Sequence, residues 1–127
     1  MRSFERVTWG ILMTVTCIPS AAQAQGFTEL ISVAHDGSQV DEWCDTASIS
    51  AHGRYVAFEC DATNLVPDDT NGIVDIFVRD RQTRVTTRVN VSTDGVEAND
   101  YSFYPSISGD GRFVEFHSYA DNLVPGD

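Results

Sequence analysis

Residues Ser48–Asp69 read SISAHGRYVAFECDATNLVPDD, and residues Ser106–Asp127 read SISGDGRFVEFHSYADNLVPGD. Thirteen of these 22 positions are identical without a gap when Ser48 is laid on Ser106. Carried outwards, the same offset aligns Phe27–Asp69 with Val85–Asp127 and matches 17 of 43 positions. Average composition would give about two or three by chance. Repetition at a fixed period of this length marks a chain built from stacked supersecondary units, none of which can bury its apolar faces alone.

Within one unit, SIS is a short strand, and AHGR, or GDGR in the second copy, is a tight turn with glycine where a positive φ is cheap. YVAFEC follows with an alternation of period two. Val56 and Phe58 share one face and recur as Val114 and Phe116, whereas Ala57 and Glu59 become Glu115 and His117. The repeated face is the expected core. After the polar stretch DATNLVPDDTNG come IVDIFVRD as a third strand, the RQTR turn and VTTRVNV as a fourth; STDGVEANDYSFYP then leads into the next copy. The fold class expected is all-β, with antiparallel four-stranded propeller blades, about one complete blade plus parts of its neighbours. A β-sandwich of seven short strands is the competing architecture. The direct repeat favours the propeller, because a blade has two flat faces that need neighbours.

The N-terminus has a different composition. Arg2 and Arg6 precede an uncharged run from Val7 to Ile18, followed by Pro19, Ser20 and AAQAQ, with Ala22 and Ala24 in a small-x-small arrangement. This is the layout of a secretory signal peptide over residues 1–24, and the run is short of the roughly 20 residues needed for a spanning helix. Cleavage after Ala24 predicts a periplasmic or secreted protein without membrane insertion. Residues 25–127 are then a partial β-propeller: 27–33 a lone outer strand, 47–91 a full blade and 105–127 an incomplete blade. Completion of the blades falls to further sequence or to another chain.

Residues 25–127 carry six arginines, no lysine and 18 acidic residues, so the net charge is 6 − 18 = −12. No basic cluster exists to neutralise phosphates, which excludes nucleic acid as the expected partner. A chain this acidic repels itself in solution or attracts divalent cations.

The stretches SISxxGRYVAF and NLVPxDTNGxxDxFVRDRQT, with the polar DG loop, resemble the TolB-like, WD-type propeller repeats of exported bacterial proteins. The resemblance covers Phe27–Asp127. It implies a non-catalytic exported propeller segment that acts as an interaction module for a protein or cell-surface ligand. The alternative is the N-terminal propeller part of a larger exported hydrolase or peptidase whose catalytic domain lies elsewhere. Arg84 departs from the family pattern, which has glycine after DRQT, and this predicts a distorted turn.

Two constellations carry chemistry. Cys44 and Cys60 fall opposite each other if the turn centres on His52 and Gly53, and both become serine in the second copy, Ser102 and Ser118. A disulfide is expected, and export favours its oxidation. The second constellation is DDTNGIVD, where Asp69, Asn71 and Asp75 surround Gly72 in the manner of a Ca²⁺ loop. A hard cation wants six to eight oxygens and three are in sight, so a turn capped by its own Asp and Asn side chains is the favoured reading and Ca²⁺ the one candidate cofactor. There is no GxSxG, HExxH or CxxC motif, and no catalytic residue is assigned.

Overall fold

YVAFEC becomes the second strand of a four-stranded antiparallel meander, because the SAHG turn reverses the chain and aligns it with the residues before it. In the computed structural model, which describes residues 12–15 and 27–126, the strands are β1 (Leu12–Val15), β2 (Phe27–Leu30), β3 (Cys44–Ile49), β4 (Tyr55–Cys60), β5 (Asp75–Asp80), β6 (Val85–Arg88), β7 (Ser102–Ile107) and β8 (Val114–Ser118). They pair as β1-β2, β3-β4-β5-β6 and β7-β8, every pair antiparallel. The protein is all-β, with no helix among the described residues.

Several boundaries differ from those expected. The first strand of each unit starts at Cys44 and Ser102 rather than at 47 and 105, because each carries a bulge, between Asp45 and Ala47 and between Phe103 and Ser106. Thr46 (φ 25°) and Tyr104 (φ 58°), which align in the two copies, occupy the left-handed region at these bulges. An extra residue breaks the period-two pattern, which hides the strand start from the sequence. Phe27–Leu30, within the expected outer strand 27–33, pairs with Leu12–Val15 of the expected leader. The expected leader, 1–24, lies outside the described residues apart from that strand. At Arg84 the turn keeps the left-handed backbone that suits glycine. Arg84 takes φ 61°, the backbone a glycine would adopt, and its N–H donates to the Asp80 carbonyl at 2.7 Å. An L-residue there costs about 1–2 kcal/mol.

One core lies on the Val56/Phe58 side, where these residues join Ile31, Val40, Cys60, Leu65 and Phe77. The Phe58 and Phe77 rings stack at 5.9 Å, and each buried ring contributes about 1.5–3 kcal/mol in transfer alone. The opposite face of β4 is buried as well: Ala57 and Glu59 are covered by the β7 layer. There Glu59 Oε2 accepts from the Tyr104 N–H at 2.6 Å, Ser48 Oγ from the Ile107 N–H at 3.2 Å, and the Gly109 carbonyl from the Ala51 N–H at 2.9 Å. The Tyr55 ring lies against Gly111, where a Cβ would come within 2.3 Å of it. Glycine is required there twice over, by that contact and by φ 73°.

Local hydrogen bonds of the first copy recur at the matching positions of the second. Ser50 Oγ accepts from the Tyr55 N–H and Ser108 Oγ from the Phe113 N–H, at 3.1 and 3.0 Å. The Asn64 amide accepts from the Asp41 N–H and donates to the Gln39 carbonyl, and the Asn122 amide does the same with Asn99 and Glu97. The asparagine of NLVP therefore clamps the loop before the first strand to the loop after the second.

Candidate functional site

The DDTNGIVD loop ends at the first residue of β5, so Asp75 enters the sheet with its side chain fully buried. A buried carboxylate needs partners. Asp75 Oδ1 accepts from Asn90 Nδ2 at 2.7 Å, both of its oxygens accept from Asn71 Nδ2 at 3.1 Å, and Oδ2 accepts from Arg88 Nη1 at 3.2 Å. Asn90, also fully buried, accepts from the Ile76 N–H and donates to Ser102 Oγ, which ties β5 to β7.

Arg88 stands at the centre. Its Nη1 lies 2.7 Å from Glu97 Oε2, 3.2 Å from Asp75 Oδ2 and 3.3 Å from Asp69 Oδ1, and its Nη2 donates to the Asp68 carbonyl at 3.0 Å. Glu97 arrives from the turn at 92–95, which the Gly95 N–H to Ser92 carbonyl bond closes. It also accepts from the Thr70 N–H and hydroxyl. Three carboxylates face one guanidinium, a local charge of −3 + 1 = −2 when all are ionised. The imbalance shows in protonation. Burial, then repulsion from Asp75, pushes Asp69 up to about 6, with Arg88 opposing and Glu97 reinforcing. Burial also raises Asp75 against the hydrogen bonds of Asn90 and Asn71 and the charge of Arg88. For Glu97 burial pulls upward, but the Thr70 bonds and Arg88 outweigh it and the carboxyl sits below its ordinary value. Asp69 Oδ1 and Arg88 Nε are buried without a hydrogen bond.

Of the three residues expected around a cation, the structure brings Asp69 and Asp75 together and turns Asn71 the other way. Asn71 Oδ1 accepts from the Ile73 N–H, and its Nδ2 donates to Asp75 and to the Ala98 carbonyl. The carboxylates of Asp69, Asp75 and Glu97 lie within 4.8 Å of one another, a spacing that suits a divalent ion. The guanidinium of Arg88 already fills the space between them. The cluster fits an internal ion-pair clamp, joining the 68–75 loop, β6 and the 92–97 turn, better than an ion from solution. Sequence reasoning missed Arg88 and Glu97. Their counterparts in the preceding copy are Leu30 and Gln39, and that paired change from neutral to charged was the available signal.

Cys44 and Cys60 are register partners and form a disulfide, with their Cα atoms 4.0 Å apart. At the equivalent place Ser102 and Ser118 are hydrogen-bonded at 3.1 Å. His35, His52 and His117 are all exposed. A cleft bounded by His35, Leu65, Pro67, Arg79 and Arg84 contains no carboxylate among its lining residues.

Fold and cluster together define an all-β antiparallel protein with a buried acid–arginine clamp. Comparison of the chain with protein-family models, with curated proteins and with solved structures finds no match.

Proposed function

We propose that this chain is a segment of an exported β-propeller that serves as a non-catalytic interaction module for a protein or cell-surface ligand. One observation carries the reading: aromatic side chains crowd the open side of β7–β8. Tyr104 and Tyr119 are 67% and 76% exposed, and with Tyr101 and Phe103 they form a chain of ring contacts between 5.9 and 6.4 Å. Exposed aromatic clusters of this kind mark binding surfaces, since a solvated ring gains most from being covered. The propeller reading is supported by the four-stranded meander β3-β4-β5-β6, by the β7–β8 layer stacked on its face, and by hydrogen bonds that recur from one copy to the next. Export is supported by the leader-like residues 1–24 and by the Cys44–Cys60 disulfide. Removal of such a leader would take β1 with it and leave that edge of β2 unpaired.

The test is binding of the labelled protein to intact cells of the producing organism. The double variant Tyr104→Asn/Tyr119→Ser is expected to weaken binding by about tenfold or more while the unfolding midpoint stays in place. Asparagine suits the positive φ at 104. Unchanged binding by that variant, or none by the parent, overturns the reading.

A further inference from the structure

The contact between the four-stranded sheet and β7 has two sides, and the chain carries a second example of each side. On the receiving side, Tyr55 is partly buried and Ala57 and Glu59 are buried beneath β7, while their counterparts Phe113, Glu115 and His117 are exposed, Phe113 by 65%. Ser48, which accepts from Ile107, has the exposed Ser106 as its counterpart. On the entering side, Pro105 and Ile107 of β7 are buried, while their counterparts Ala47 and Ile49 on β3 are exposed. Both entering strands carry a left-handed residue at the bulge, Thr46 and Tyr104, and a left-handed glycine in the following turn, Gly53 at φ 69° and Gly111 at φ 73°. An edge of this shape is seated once within the chain and presented to solvent once.

We propose that the open face of β7–β8 receives β3 of a second copy of this chain, head to tail. This names the partner of the β8 face and rests on the interaction-module reading above. Phe113 would lie against Gly53 of the second copy as Tyr55 lies against Gly111, beside the Arg81 guanidinium that packs on Gly53. Ser106 Oγ would accept from the Ile49 N–H as Ser48 Oγ accepts from Ile107. The contact is heterologous, so each copy keeps one free receiving face and one free entering edge, and growth continues until a ring closes. Glu115 stands where Ala57 is and brings a charge to the middle of the contact, which limits its strength.

Sedimentation velocity of the full chain in salt that screens its acidic charge tests this, over roughly 1–100 μM, the span of weak to moderate association. The parent is expected to rise in mass with concentration. Phe113→Asp on the receiving face and Ile49→Asp on the entering edge should each abolish that rise, whereas a mixture of the two forms a heterodimer and nothing larger, since one intact face meets one intact edge. Glu115→Ala, which places at 115 the residue found at 57, should tighten association by about tenfold. A parent that stays monomeric throughout overturns the proposal, as does self-association that survives both Asp variants or a mixture that fails to pair. Cell binding that persists in a monomeric parent would sink only the second-copy partner, and loss of cell binding in a self-associating chain only the broader reading.

Discussion

Asp69 carries a carboxylate into a space that already holds Asp75 and Glu97, and a single guanidinium cannot neutralise all three. Burial with repulsion raises its pKa from 3.8 to about 6 in the folded chain. Between those values the folded state holds a proton that the unfolded state has lost, so this group's contribution to stability declines as pH rises through the window and is recovered below it. The loss amounts to about 3 kcal/mol at neutral pH. Asp80 acts in the opposite sense: the Arg54 bond holds its carboxyl well below the usual range, so its contribution is lost as pH falls. The useful quantity is therefore the difference between Asp69→Asn and the parent. Urea midpoints measured from about pH 4 to pH 7 are expected to show the variant gaining on the parent as pH rises. Parallel profiles would mean that Asp69 does not titrate in this window. The residues around Asp69 were only half legible in the sequence. Asp75 follows it within one loop, whereas Arg88 and Glu97 reach it by way of β6 and the 92–97 turn, and no local periodicity encodes that meeting.

At the scale of the element, the β3–β4 and β7–β8 hairpins are one design with different fastenings. A disulfide joins Cys44 to Cys60, and a hydroxyl pair joins Ser102 to Ser118. Cys44→Ser with Cys60→Ser should convert the first fastening into the second. The cross-link over 16 residues contributes about 3 kcal/mol in the loop-entropy model, and a serine pair returns about 1 kcal/mol. Denaturant melts are expected to show a net loss of about 2 kcal/mol with cooperativity intact; an unmoved midpoint would show that the disulfide constrains nothing. The hairpins themselves were legible, since period two and the HG and DG turns prescribe them. Their bulges were not: Thr46 and Tyr104 take left-handed backbone without the glycine that would announce it.

For the whole molecule the governing quantity is a formal charge of −11 on 127 residues. Self-repulsion of this size favours expansion, and salt removes it faster than it weakens the buried ion pairs of Arg88. The thermal midpoint is expected to rise by several degrees between about 10 mM and 500 mM NaCl. A midpoint that falls would mean that exposed attractive pairs such as Arg54–Asp80 outweigh the net repulsion.

The sequence by itself determined an all-β antiparallel chain with a direct internal repeat, because strand period, turn glycines and repeated apolar positions are local properties. Only the tertiary structure decided which of two equivalent faces is covered. Val56 and Val114, or Ala57 and Glu115, occupy the same places in the same pattern, yet one copy is enclosed on both sides and the other is open. Burial belongs to the neighbour as much as to the residue, and the strand that covers β4 is β7, which the chain reaches only after completing the whole four-stranded sheet.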